Sequence, residues 1–167
     1  MNDITHIHRT IYQSGRSALR DLDSVRAYGI QGVLRLDHHV PTPGIPPNWP
    51  DDMATLHLPF DDGEPIPPQI IPRATAFIHE HVAAERGVLV HCQMGISRST
   101  AMVMAYLIEY EALTLEDAYR LIYARRHVVY PHADLLYSLV LYYALPHRWE
   151  DIHEPGYVHS LQNSPRT

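Results

Sequence analysis

The sequence predicts an α/β domain: a central, mostly parallel sheet flanked by helices, with an anion-binding loop between a central strand and a helix. Three observations predict it. Strand-like and helix-like segments alternate along the chain. The short run Val88, Leu89, Val90 is apolar throughout, as a strand covered on both faces requires. A polar turn containing Gly95 follows it and leads into a second apolar run from Arg98; parallel sheets place ligands at such turns, beyond the carboxyl ends of their strands.

Residues 10–13 read as a short strand. Ser17 is the candidate cap of a helix with Leu19, Leu22 and Val25 on one face and Gly29 as its stop. Residues 32–36, GVLRL, read as the next strand. Residues 41–50 hold five prolines and a glycine and read as a loop. Residues 55–58 form another strand, followed by the loop PFDDGEPIPP. A helix then starts at Pro68 or Pro72 and runs to Arg86, with Ala74, Phe77, Ile78 and His81 at helical spacing and Gly87 as its end. Pro72 favours the later start, because proline fits only the first turn of a helix. Residues 88–91 are a strand and residues 98–110 an apolar helix. Thr114 with Asp117 reads as a capping pair for a helix through Arg126. Residues 131–145 supply the last helix, and residues 146–167 read as a peripheral C-terminal tail. The main domain is therefore residues 1–145.

Composition narrows the function. A chain of 167 residues, 46% hydrophobic and 19% charged, suits one globular domain. The net charge is −6, with 13 arginines and no lysine, so neither nucleic acid nor an anionic membrane is expected as a partner. No apolar run reaches the length of a membrane span, and the N-terminus lacks the pattern of a signal peptide. A cytoplasmic location is expected, and the single cysteine fits a reducing compartment.

That cysteine stands in GVLVHCQMGISRST. Gly95 permits a positive φ or a close backbone approach. Successive N–H groups in such a turn form an anion nest, reinforced by the dipole of the following helix. Arg98 adds a two-pronged contact to a bound phosphate. A cysteine at the base of the nest is expected to be populated as its thiolate, a nucleophile aimed at phosphorus. The competing reading is a small buried hydrophobe, against which stand the glycine, the serine after the arginine and the histidine before the cysteine.

HCQMGISRST resembles the signature of dual-specificity phosphatases within the protein tyrosine phosphatase superfamily, His-Cys-x-x-Gly-x-Ser-Arg-Ser. The flanking segments IYQSGRSALRDLDSVRAYGIQGVLRL and AMVMAYLIEYEALTLEDAYRLIYARR are similar to the family's N-terminal strand-helix-strand and to its two helices after the phosphate-binding loop; the resemblance covers residues 8–145. It implies a phosphatase-like catalytic domain that hydrolyses phosphotyrosine, and phosphoserine or phosphothreonine if the pocket is shallow, through a phosphocysteine on Cys92. By the same resemblance Gln93, Met94, Gly95, Ile96, Ser97 and Arg98 bind the phosphate, Ser99 stabilises the departing thiolate and His91 orients the loop. The general acid is an aspartate about 30 residues before the cysteine in similar proteins. Asp62 and Asp61 both qualify, and the family's apolar-proline-apolar-acidic-Asp string favours Asp62, the last residue of LPFDD.

No metal and no cofactor is expected. The 13 histidines include the pairs His6/His8, His38/His39 and His79/His81, none with the spacing of a strong metal site. Arg125 and Arg126 read first as cations at a helix C-terminus. Tyr130-Pro131-His132 stands where relatives often carry Ser-Pro-Asn, and His38 and His39 where an asparagine often follows the strand; both leave support of the loop open. The expected partner is a phosphorylated protein, with oligomeric state unassigned. The alternatives are a phosphoinositide, a glycan phosphate or an RNA 5′ end as substrate, and a phosphoprotein-binding module without turnover.

Overall fold

The computed structural model describes residues 3–38, 43–45 and 50–164. Five strands form one sheet in the order β1-β2-β5-β3-β4: β1 (Thr5–His8), β2 (Ile11–Ser14), β3 (Ile30–Arg35), β4 (Ala54–His57) and β5 (Gly87–His91). All neighbours are parallel except β1, which pairs antiparallel with β2 at one edge. The mostly parallel sheet is thus as expected, with β1 as an added edge strand that residues 5–8 did not announce.

The middle strand β5 is buried along its whole length. Its side chains alternate between faces. Val88 and Val90 join the larger core, with α2 (Ile70–Ala83) and α3 (Arg98–Tyr110), whereas Leu89 joins the smaller core around Leu19, Val25 and Val33. Residues 98–107 of α3 are buried on every side, because the helix lies between the sheet and the outer helices α4 (Leu115–Arg125) and α5 (Ala133–Tyr142).

Several local expectations are corrected. Residues 16–20 form a 3₁₀ turn, and α1 (Leu22–Ala27) is capped by Asp21, whose carboxylate accepts from the Ser24 N–H at 3.0 Å; Ser17 caps nothing. α2 begins at Ile70, so Pro72 sits inside its first turn, where a missing N–H costs no helical bond. Its end is made by Glu85 at φ +56°, and Gly87 already belongs to β5. A Cβ at Gly87 would lie 2.5 Å from the Gly29 carbonyl oxygen, so this glycine serves strand approach. Thr114 does cap α4, accepting from the Asp117 N–H at 3.1 Å. The last expected helix is shorter and is α5. The proline-rich loop at residues 41–50 lies largely outside the described residues.

The C-terminal segment is not peripheral. It folds into α6 (Trp149–Ile152) and α7 (Tyr157–Asn163), and Ile152, Val158 and Leu161 are buried in the larger core. The Tyr157 hydroxyl donates to Glu116 Oε1 (3.0 Å) and Gln162 Nε2 to the Tyr119 hydroxyl (2.8 Å). Apolar residues spaced between polar ones made this segment hard to read, since α6 is too short to carry a periodic signal. Among the described residues no helix is long and apolar enough to cross a membrane.

Candidate active site

β5 ends at His91, and the chain turns through residues 92–97 before α3 begins at Arg98. Gly95 takes φ +67°, and a Cβ there would lie 2.5 Å from both the Ser14 carbonyl carbon and Arg126 Nη2. Only glycine lets the turn come this close to β2.

Every carbonyl from Cys92 to Ser97 is held from outside the turn. Cys92 O accepts from His91 Nδ1 (3.1 Å), Gln93 O from the Arg16 N–H (3.0 Å) and Met94 O from Arg126 Nη2 (3.5 Å). Gly95 O accepts from Arg126 Nε (2.9 Å) and Gln13 Nε2 (3.3 Å). Ile96 O accepts from the Tyr130 N–H (2.9 Å) and Thr100 Oγ1 (2.9 Å), and Ser97 O from the Ala101 N–H (3.0 Å). In a trans peptide, the C=O of one residue and the N–H of the next point in opposite directions. Outward carbonyls therefore turn the N–H groups of Gln93, Met94, Gly95, Ile96, Ser97 and Arg98 to the inner side. None of these N–H groups donates to a protein acceptor among the described residues. The turn is a nest of donors at the N-terminus of a 13-residue helix, whose dipole adds to their positive potential.

Cys92 is buried at the base of the nest, its Sγ 3.3 Å from Ser99 Oγ. Ser99 Oγ accepts from Gln13 Nε2 at 3.0 Å, which leaves the serine hydrogen free to point at sulfur. Gln13 is fully buried on β2 and also donates to Thr100 Oγ1 (2.8 Å). Because Gly95 O can only accept, it fixes which end of the amide faces the loop. Arg98 is buried; its Nη1 donates to Phe60 O (3.1 Å), and its Nε has no partner among the described residues.

The two aspartates part company. Asp62 Oδ1 accepts from Ser97 Oγ at 2.7 Å, and Ser97 Oγ itself accepts from the His132 N–H at 2.9 Å. Asp62 lines the same cleft as Cys92 and Arg98, a space of about 540 Å³. Asp61 instead pairs with His38 at 2.6 Å on the exposed side of the loop. His132 caps α5 by accepting from the Asp134 N–H at 3.2 Å. The chain thus retains a support for Ser97 through the backbone of residue 132. His39 lies outside the described residues.

His91 is buried beneath the loop, and Nδ1 is its donor to Cys92 O. Burial pushes its pKa down to about 4, with Asp37 opposing and Arg35 and Arg16 assisting. A histidine that resists protonation only when folded makes the unfolded state the better proton acceptor below pH 6.5. His91 therefore contributes stability that is complete above about pH 6.5 and is lost as pH falls towards 4. The urea midpoint of the wild type is expected to fall more steeply between pH 7 and 5 than that of His91→Asn; equal slopes would contradict this assignment.

Arg126 corrects the reading of a simple helix-end cation. It is buried, and beyond Met94 O and Gly95 O it reaches Asp3 (2.9 Å) and Thr5 Oγ1 (2.9 Å), clamping the back of the loop to the N-terminal segment. Sequence reasoning missed both Arg126 and Gln13 as loop supports. Gln13 carries a signal, a polar residue two positions after Ile11 on a face that otherwise joins the core; Arg126 carries none. The paired histidines serve separate local roles: His79 stacks on Tyr110 (4.0 Å between centroids), His81 Nδ1 bonds to Phe77 O (2.9 Å), His6 to Arg9 O (2.6 Å), and His8 faces Glu111 (3.3 Å).

A parallel sheet whose middle strand delivers a cysteine into an inward-facing N–H nest, followed by a buried arginine, defines the cysteine-based phosphatase class of α/β domain. The model of the dual specificity phosphatase catalytic domain matches residues 11–144, and the chain belongs to that family. It is 35% identical over 114 residues to human dual specificity protein phosphatase 12, a match covering 65% of this chain and 32% of that protein; the chain thus corresponds to about a third of that relative. It is 30% identical over 113 residues to the putative tyrosine phosphatase 123R of Invertebrate iridescent virus 6, covering 67% and 74%. The crystal structure of human DUSP28 superposes with a TM-score of 0.75 at 23% identity, covering 88% of this chain and 97% of that one. That of DUSP15 superposes with a TM-score of 0.72 at 23% identity, covering 98% and 97%.

Proposed function

We propose that this protein is a phosphoprotein phosphatase that hydrolyses phosphotyrosine, and phosphoserine or phosphothreonine where the site admits them, through a phosphocysteine. The observation that carries the reading is the outward pinning of every carbonyl from Cys92 to Ser97, which turns the N–H groups of residues 93–98 to the opposite side, in a loop that lines one cleft with Cys92. A phosphate monoester dianion suits that side of the loop. Its equatorial oxygens accept from the N–H groups and from the Arg98 fork, so charge is held as it spreads in the transition state.

Cys92 Sγ attacks phosphorus in line: the S–P bond forms as the bond from phosphorus to the ester oxygen breaks. Asp62, protonated at the start, gives its proton to that departing oxygen. Asp62 then takes a proton from water as the water oxygen attacks phosphorus, and the S–P electron pair returns to sulfur. Ser99 donates its hydroxyl hydrogen to the thiolate so released. The product is inorganic phosphate, and the cysteine is restored. In this reading the catalytic residues all lie within residues 1–145, with residues 149–163 packed on the same core, and a reducing, cytoplasmic setting agrees with the lone thiol.

The test separates the two aspartates. Asp62→Asn is expected to lower kcat for a phosphothreonine peptide by about 100-fold, and to lower it less for p-nitrophenyl phosphate, whose leaving group needs no proton. Asp61→Asn is expected to stay within about threefold of the wild type, since Asp61 turns to His38. Equal losses in both variants would remove Asp62 from the role. Gln13→Leu is expected to lower kcat about tenfold with little change in KM, the effect of losing hydrogen bonds worth about 1–1.5 kcal/mol. Combined with Ser99→Ala it should cost nothing further; additive losses would show that Gln13 does not act through Ser99.

A further inference from the structure

The cleft above Cys92 has two walls of different origin. One comes from the loop between α4 and α5, with Tyr130 and Pro131; the other comes from the C-terminal segment, with Ile152, Pro155, Tyr157 and Val158. The second wall lies beyond the end of the family match at residue 144. His132, His153 and Glu154 also stand in these walls, but most of their lining residues are apolar or aromatic, whereas the floor is the donor nest and Arg98.

The C-terminal wall is fixed in place. Ile152 and Val158 are buried in the core on either side of the cleft-lining turn. His153 stacks on Trp149 with ring centroids 4.0 Å apart, and its Nε2 bonds to Asp134 Oδ1 at 2.7 Å. Gly156, at φ +87°, makes the turn between α6 and α7 that presents the segment to the cleft.

Resting on the phosphatase reading above, we propose that the C-terminal segment is a substrate-selecting wall and that the side chain it selects is an aryl phosphate, the phosphotyrosine ring. The two surfaces are complementary. A phosphate seated on the nest sends its ester oxygen outward, between the two walls. A phenyl ring attached there exchanges water for apolar contact on both faces. A phosphoserine carries one methylene, which cannot reach both walls and leaves them wet. Covering about 60 Å² of ring surface corresponds to roughly a tenfold gain in affinity, and it is independent of how good the leaving group is.

The experiment uses probes that cannot be hydrolysed, so leaving-group chemistry drops out. Phenylphosphonate and methylphosphonate are titrated calorimetrically into the full chain and into the double variant Tyr130→Ala/Pro155→Ala. Both altered side chains are exposed, so folding is preserved. In the wild type phenylphosphonate is expected to bind at least tenfold more tightly than methylphosphonate, and in the variant the advantage should shrink to under threefold. Equal affinities in the wild type, or an advantage unchanged in the variant, would overturn the proposal while leaving the phosphatase reading intact. If neither phosphonate binds, the nest does not hold the phosphoryl group and the phosphatase reading itself fails.

Discussion

Replacing Cys92 by serine is expected to abolish turnover, with kcat lower by roughly 10⁴-fold or more. The reason lies in what surrounds the sulfur. A serine hydroxyl needs a base to become a nucleophile, and Asp62 already carries its proton at that step of the proposed mechanism. His91 is held neutral by burial, but its Nδ1 is spent as a donor to Cys92 O. Ser99, the group nearest the sulfur, is oriented by Gln13 to donate a hydrogen. Binding should survive, because the nest is built from backbone N–H groups that the substitution does not touch. Phosphonate affinity in Cys92→Ser is therefore expected within about threefold of the wild type, a split between chemistry and binding that steady-state kinetics and calorimetry together detect. Residual turnover above about one per cent would point to a nucleophile elsewhere.

Arg98→Ala is expected to lower kcat/KM by roughly 10³-fold, more than one lost donor contact costs, because two things go at once. The guanidinium supplies a planar fork to two phosphate oxygens. Its Nη1 also holds Phe60 O at 3.1 Å, two residues before Asp62. Removing the side chain leaves a carbonyl beside a buried phenylalanine without its partner and loosens the loop that carries the acid. Arg98→Lys restores the charge but not the fork or its geometry, and it is expected to remain at least about 100-fold below the wild type. Full recovery by lysine would mean that charge alone suffices.

Much of this site is legible in the sequence because its chemistry is local. Cys92, Gly95, Arg98 and Ser99 lie on one strand-turn-helix, so spacing along the chain carries their spacing in space. Asp62 is one step harder: the loop can be found, but the choice between adjacent aspartates depends on Ser97 and His38, which lie far apart in sequence and face opposite sides of the loop. The supports are harder still. Arg126 reaches Gly95 from 31 positions away, and Gln13 reaches Ser99 across 86. Neither distance leaves a periodic trace. The fold follows the same division. The apolar run Val88–Val90 announces a central strand, whereas β1, four residues with alternating exposure, and α6, four residues long, have too little pattern to stand out from loops. The segment read as a tail is held by burial of Ile152, Val158 and Leu161 in the larger core, and tertiary burial of that kind has no local signature.

In the proposed mechanism the inward N–H groups of residues 93–98 seat a phosphoryl group over Cys92 Sγ, so that sulfur becomes bonded to phosphorus. Rapid acid quench of Asp62→Asn with p-nitrophenyl phosphate, followed by peptide mass spectrometry, measures this directly, since that leaving group needs no proton and the variant then slows hydrolysis of the intermediate more than its formation. Phosphate is expected on the sulfur of Cys92, approaching one equivalent per chain and absent in Asp62→Asn/Cys92→Ser. Phosphate released with no adduct on Cys92, or an adduct on any other side chain, would contradict it.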